Sequence, residues 1–471
     1  TVKSNNKTYT YKVQAYNTNN GRQGVGAYSS TKSAKTLAKA KITGITSSDE
    51  EVLKISWKKV SGAKGYIISR STKKDSGYSE IDTVSGEKTT SYTDDTVKAG
   101  KTYYYKVEAY NVNSGTKGYG GASDAVAGKT AKRTKITSIV STNEKTLTIK
   151  WNKITGAYGY RIKRSTDEDG TYKVVKTIKS GNTTSYKDTS VKAGKTYYYT
   201  VETMVKTGDN ICYSGDSASV EGRTAKKTKI KYAVSNGSNQ IEVNWGAVSG
   251  AYGYRIKRST SKNGTYNVIA TVNGKNKTYQ DKKLKTAKTY YYKIETINKV
   301  NGKKGYSGDS AAVSAKTLKT TSITAVKATG STSVRLEWKA VDGASGYQIY
   351  RSTSKDSGYK KVGQVKGKNT KKYEDKTLEA GKTYYYQVRA YKSNSAKNGV
   401  ASFSKAQKAW TIKQVVFSQI TSDSKNQVTL GWKKVSKAQG YDIYRSDESN
   451  SGFEKIASIS SGSTLTYTIR A

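Results

Sequence analysis

Four stretches of this 471-residue chain spell three consecutive tyrosines: AGKTYYYKVEAYN at 99–111, AGKTYYYTVETMV from 193, TAKTYYYKIETIN from 286 and AGKTYYYQVRAYK from 380. Tyrosine offers a phenol that donates or accepts hydrogen bonds and a ring face that attracts sugars and cations. Other reactive groups are few. The chain contains no His, so imidazole acid–base chemistry and most zinc sites are closed to it. Its one cysteine, Cys212 in GDNICYSGD, has no His to activate it and reads as an incidental residue of the loop between a sixth and a seventh strand. The carboxylates of DEDG at 167–170 fall on a hairpin tip, lack the spacing of a calcium loop and occur once. No catalytic residue, metal ligand or cofactor emerges, and no long insertion of the kind that builds active sites interrupts the pattern. The chain reads as non-enzymatic.

The elements that carry the tyrosines recur at a fixed interval. The leading tyrosines Tyr9, Tyr103, Tyr197, Tyr290 and Tyr384 are spaced 94, 94, 93 and 94 residues apart, the first belonging to a looser copy, NKTYTYKVQAYN. Trp57, Trp151, Trp245, Trp338 and Trp432 keep the same steps, and each precedes a Gly-Tyr, as in VLKISWKKVSGAKGY. A unit of this length can bury its own core. Six segments result: a partial repeat 1–36, full repeats 37–130, 131–224, 225–317 and 318–411, and a partial repeat 412–471.

Within 37–130 the sequence gives strands only. KITGIT and VLKISW alternate with period two, placing Leu53, Ile55 and Trp57 on one face; GYIISRS, YSEIDTV, TSYTD, KTYYYKVEAY and ASDAVAGKT follow, with KKDSGY as a hairpin turn. Seven short strands per repeat predict an all-β chain of antiparallel sandwiches. One cysteine rules out an intrachain disulfide, so packing alone must hold each domain. The mean hydropathy of −0.77 fits half-buried strands whose polar residues alternate with apolar ones. No segment has the pattern of a membrane span or a signal peptide.

The tryptophan closing the second strand, the Gly-Tyr opening the third and the VKAGKTY leading into YYKVEAYN resemble a fibronectin type III domain, five times in register. The Lys- and Tyr-rich style is similar to repeats of Gram-positive bacterial surface proteins. Where that family has a proline before the glycine of the turn, this chain has Ala99, Ala193, Thr286 and Ala380, at some cost in turn rigidity. The resemblance implies that Tyr103, Tyr197, Tyr290 and Tyr384 are corner tyrosines whose hydroxyls fasten the preceding turn. It also implies an extracellular, cell-surface or secreted setting.

Alternation along the strand then sends Tyr105 and Val107 inward, near Trp57, Tyr66 and Ile68, and sends Tyr104, Lys106, Glu108 and Tyr110 outward. Tyr104, Tyr198, Tyr291 and Tyr385 form an outward set, with Thr10 in the loose copy. In the plainer reading these rings shelter the stems of cross-strand Arg161, Lys163, Arg255 or Lys257. In the sharper one they form a repeated aromatic surface that stacks on sugars or holds polyanions.

Charge points the same way without deciding. The chain has 84 Lys+Arg against 35 Asp+Glu, net +49; residues 131–224 carry +8 and residues 225–317 carry +15. No nucleic-acid motif accompanies that charge, so specific nucleic-acid binding is not expected, while salt-dependent contact with anionic wall or host polymers is. Repeats join without a Gly/Ser or Pro linker, as in AGKTAKRTKITSI, which predicts end-to-end stacking into a rod. Strands of this length make each repeat roughly 35 Å long, and five about 170 Å. The leading reading is a stalk or spacer of a bacterial surface protein or filament. The alternatives are an adhesin module for glycans or anionic polymers, and an accessory region of a secreted carbohydrate-active enzyme. Residues 1–36 supply two strands and 412–471 supply five, so either the array is longer than this stretch or copies complete one another head to tail.

Overall fold

The computed structural model describes residues 7–113 and 115–470, and every regular element among them is a β-strand. Contacts divide the chain into two compact units, residues 1–226 with 297–308 and residues 227–296 with 309–471.

The first full repeat shows how the pattern folds. A three-stranded sheet runs in the order Ile42–Asp49, Val52–Trp57, Ser91–Asp94. The facing sheet places Ser79–Ser85 beside Gly65–Ser71, then Thr102–Asn113. The last strand is interrupted: Thr116–Tyr119 pairs with the far end of Thr102–Asn113 and Val126–Lys129 with its near end. Counting that broken strand once, seven strands form a fibronectin type III-like β-sandwich. The second repeat copies it with sheets Ile136–Asn143, Thr146–Trp151, Ser185–Asp188 and Lys173–Ile178, Gly159–Ser165, Thr196–Thr207, Asn210–Asp216. The chain is a tandem array of such sandwiches.

In the second unit the fourth repeat has the same order, with Ile323–Gly330, Ser333–Trp338, Lys372–Asp375 facing Lys360–Lys366, Gly346–Ser352, Thr383–Lys392. The third repeat contributes Ile230–Ser235, Ile241–Trp245 and Thr278–Asp281 as its smaller sheet. At the end of the chain Phe417–Ser424, Gln427–Trp432 and Thr466–Arg470 form one sheet, and Tyr441–Arg445 pairs with Glu454–Ile459. Of the first partial repeat, Thr8–Tyr11 pairs with Lys32–Lys35 and Gln14–Asn19 with Arg22–Tyr28.

Each core is built on an aromatic pair. Trp57, Trp151, Trp245, Trp338 and Trp432 are buried, and each faces the tyrosine nine residues on (Tyr66, Tyr160, Tyr254, Tyr347, Tyr441) with ring centroids 5.2–5.5 Å apart and planes steeply inclined. None of the five indole N–H groups has a hydrogen-bond partner among the described residues. The inclined tyrosine ring makes an attractive quadrupole contact with the indole as a whole. The tyrosine hydroxyl is satisfied: Tyr66 accepts from Val60 N at 2.8 Å and donates to Glu87 O at 3.0 Å. The glycine before that tyrosine is needed for clearance. A Cβ on Gly159 would run into the carbonyl of Ile178 and lie 2.8 Å from the Met204 methyl.

Candidate functional site

Three sets of polar residues concentrate the chain's candidate chemistry. They are the outward tyrosines, a carboxylate hidden in each sandwich, and the residues at the first junction.

The leading tyrosine of each triplet is buried, and its hydroxyl accepts a backbone N–H five residues back: Lys98 for Tyr103 at 3.1 Å, Lys192 for Tyr197 at 2.9 Å, Lys285 for Tyr290 and Glu379 for Tyr384 at 3.0 Å. The middle tyrosines Tyr104, Tyr198, Tyr291 and Tyr385 are only half-exposed. Their neighbours come from the hairpin tip between the third and fourth strands. Tyr78, Tyr172, Tyr266 and Tyr359 each close that tip by donating to a backbone carbonyl four residues back at 2.6–2.9 Å. Lys106 and Lys293 lie over the Tyr78 and Tyr266 rings at 4.3 Å.

Two expectations about this face change. Opposite Tyr198 stands Ser165, not a basic residue. Arg161 stacks on Tyr213 at 3.7 Å, and Lys163 pairs with Glu202 and Asp216 at 3.5 and 2.8 Å. The register sets Lys163 opposite Thr200 and Arg161 opposite Glu202, two and four residues along the strand from the partner of Tyr198, so the bases cover other groups. Tyr110 lies in an outward row yet is buried, since Gly65 leaves room for its ring and Lys117 covers it at 5.0 Å.

Tyr198 lines an acidic hollow, of about 410 Å³, with Glu168, Glu221, Asn301 and Lys303. Partial burial and the carboxylates of Glu221 and Glu168 raise its phenol above the usual tyrosine range. At the position of Glu221 the other full repeats carry Ala127, Ser314 and Lys408, so its acid is not a repeated feature.

The third residue of each triplet reaches the most polar point of the interior. Tyr105, Tyr199, Tyr292 and Tyr386 are wholly enclosed and donate to Asp94, Asp188, Asp281 and Asp375 at 2.7–2.8 Å. On the other side an arginine closes on the same carboxylate: Arg70, Arg164, Arg258 and Arg351, at 2.6–2.9 Å. Its guanidinium also lies 5.0–5.5 Å from the corner-tyrosine ring. In three repeats the hydroxyl and backbone N–H two residues on, from Thr96, Ser190 or Thr377, complete the shell. Burial by itself would raise these acids, but the hydrogen bonds and the arginine outweigh it. Asp94, Asp188 and Asp375 are held below the ordinary aspartate range. Such carboxylates are spent on structure, with every oxygen engaged. This constellation escaped the sequence reading. Its trace was present in SYTD, SYKD, TYQD and KYED, recurring with the repeat.

Burial also pushes Tyr105, Tyr199, Tyr292 and Tyr386 far above the usual tyrosine range, with the nearby carboxylate adding to it. A raised acid is stable while protonated, so its contribution is complete below an unfolded tyrosine pKa of about 10 and is lost as the pH rises beyond it. Alkaline titration followed by tyrosinate absorbance should therefore leave these four phenols protonated until the sandwiches unfold. Smooth ionisation of all 40 tyrosines without loss of β-structure would contradict the enclosure.

No protein-family model matches the chain, and no curated protein matches it. Solved structures do. The crystal structure of the chicken CNTN1 FN1-FN3 domains is similar at 15% identity over 60% of this chain and 98% of that one, with a TM-score of 0.29. A two-domain fibronectin type III segment of chicken tenascin is similar at 19% identity over 40% of this chain and 100% of that one, with a TM-score of 0.20. These neighbours are fibronectin type III tandems.

At the junction of the first two full repeats the chain has six residues, 130–135, between strands. Cys212 lies there in a strand, Asn210–Asp216, not in a loop. It is buried, its thiol 3.7 Å from the Ile45 carbonyl, and with Val205 it belongs to the hydrophobic core of the preceding repeat. Burial pushes the thiol up, which quenches its reactivity. Ser47 donates to the Tyr213 carbonyl at 3.0 Å. Arg133, from the connection itself, reaches Asp49 at 2.5 Å and the Ser214 carbonyl at 3.1 Å, while its backbone N–H meets Glu50 at 2.9 Å. One side chain thus pins the first turn of one repeat to the last hairpin of the next.

Proposed function

We propose that the chain is a structural spacer: a stalk segment of a large bacterial cell-surface protein or extracellular filament. The observation that carries this reading is the first junction. Its hydrophobic core runs from one repeat into the next through Val205 and Cys212, and Arg133 clamps the two across a six-residue connection. A freely hinged pair of binding modules has no use for such a seal, whereas a spacer that must hold distance does. The reading is non-catalytic, because the carboxylates of Asp94, Asp188 and Asp375 are enclosed and fully bonded. The half-buried outward tyrosines favour a packing role for that face over glycan stacking.

Spin labels on Lys88→Cys and Lys179→Cys, both exposed, test the junction in the intact chain. A single narrow distance distribution is expected, broadening when Arg133 and Asp49 are both replaced by Ala. A broad distribution in the otherwise unaltered chain would remove the basis for the spacer.

A further inference from the structure

On the outer face of the larger sheet, the second and third repeats each close a ladder of opposite charges. In the second, Arg161 pairs with Glu202, and Lys163 bridges Glu202 and Asp216 at 3.5 and 2.8 Å. In the third, Arg255 pairs with Glu295, and Lys257 bridges Glu295 and Asp309 at 3.1 and 2.5 Å. Two cations meet two anions, and the ladder is neutral. The first full repeat carries Ile67, Ser69, Glu108 and Ala122 at these positions. The fourth repeat replaces all four at once, with Gln348, Tyr350, Arg389 and Phe403.

The replacements form one cluster. Arg389 stands across the strand pair from Gln348 and donates through Nε to its Oε1 at 2.9 Å, while Nη2 donates to the Tyr350 hydroxyl at 2.9 Å. The guanidinium carbon lies 5.1 Å from the Tyr350 ring centroid and 4.6 Å from that of Phe403. The two rings meet edge to face, with centroids 4.8 Å apart. Among the described residues Arg389 makes no ion pair, and none engages its Nη1. Phe403 is 37% exposed, so an apolar ring lies open beside an uncompensated charge. Gln364, hydrogen-bonded to Gln348 at 3.2 Å, and Gln387, across from Tyr350, line the rest of the cluster with amides.

We propose that this cluster is a binding site for an acidic saccharide: a uronate-bearing glycan whose carboxylate meets Arg389 and whose sugar ring lies on Phe403. The four replacements hold a cation and no acid, so the complementary ligand is an anion. One guanidinium matches a monoanion, and a planar carboxylate takes two parallel N–H bonds along the edge that Nη1 leaves open. Phe403 calls for an apolar surface within a ring's width of that charge, which the C–H face of a sugar supplies. The amides offer donors and acceptors to its hydroxyls. An acidic peptide fits less well. Extended peptides take main-chain hydrogen bonds from a sheet edge, and Gly346–Ser352 is paired on both sides, with Lys360–Lys366 and Thr383–Lys392. A nucleic acid gains its affinity from a run of phosphate contacts, whereas the cluster offers Arg389 and, at its margin, Lys361, 3.4 Å from Gln364. The outward tyrosines take no part and remain packing residues. The inference goes beyond the spacer reading, and because its test reads binding rather than rigidity the two fail separately.

The probe is a hyaluronan hexasaccharide, in which glucuronate alternates with an acetamido sugar. It is titrated calorimetrically into the full chain at about 0.15 M salt, where long-range attraction to the basic chain is screened. Arg389→Gln should weaken binding about tenfold or more, and Phe403→Ala about fivefold. Lys327→Gln removes an equal charge from an exposed site on the other sheet of the same repeat, and should change binding less than about twofold. Arg389→Lys keeps the charge but loses the flat fork, and should bind little better than the Gln variant. Phe403 lies outside the core of the repeat, so its removal carries the test even where an Arg389 variant fails to fold. No binding by the unaltered chain, or an equal loss in Lys327→Gln, would overturn the site. Undiminished binding of the carboxyl-reduced hexasaccharide would overturn the anion. Hexaglutamate or hexathymidylate bound as tightly, with the same dependence on Phe403, would overturn the saccharide.

Discussion

Replacing Asp188 by Ala should cost its own repeat about 3–5 kcal/mol. The carboxylate meets Arg164 at 2.6 Å, Tyr199 at 2.8 Å and Ser190 through two hydrogen bonds of 2.7 and 2.9 Å. Its removal strands a fully enclosed phenol and a guanidinium that is four-fifths covered. The loss is read by hydrogen exchange confined to residues 131–224, since a tandem chain need not unfold in one step. A change below about 1 kcal/mol would mean that the Arg–Asp–Tyr set is ornamental. The same acid sets the response to pH. Its folded pKa is depressed, so the stability it lends is present above the unfolded aspartate value of about 3.9 and is lost as the pH falls through the folded value. Asp94 and Asp375 add to that acid limb.

Truncating Trp151 to Ala should cost a similar amount, about 3–5 kcal/mol, by leaving a void between the two sheets. The informative partner is Trp151→Phe. Because the indole N–H has no hydrogen-bond partner among the described residues and the Tyr160 ring packs on the indole with centroids 5.4 Å apart, a phenyl ring forfeits volume but no hydrogen bond. Its expected cost is under about 2 kcal/mol. A Phe variant as damaging as the Ala variant would show that the N–H has a partner. Both are measured by denaturant unfolding followed by exchange within that repeat.

The sandwich was legible because its signals are local and repeated. A tryptophan at the end of one alternating run, a Gly-Tyr at the start of the next and a turn before Thr-Tyr-Tyr-Tyr all sit within a strand or two of their partners. Asp94 was harder. An aspartate read alone belongs on the surface, and only Tyr105, eleven residues on, and Arg70, twenty-four back, make its burial tolerable. The junction was harder still. Arg133 and Asp49 are 84 residues apart, and Cys212 and Ile45 are 167 apart. Those contacts exist only once two complete sandwiches have formed, and the residues making them change from repeat to repeat, so periodicity does not report them. Position 469 shows the opposite limit. Ile469 stands where the four full repeats carry Asp94, Asp188, Asp281 and Asp375, and no glance at the strand pattern would single it out.

The seal over Cys212 makes the first junction its own timekeeper. The only thiol in the chain is closed off by the two bodies it joins, so an alkylating reagent can consume it only during moments when they part. With reagent in excess, the labelling rate in the resting molecule counts spontaneous separations per hour. The same count under tension would give the load at which the junction begins to yield, with no residue changed.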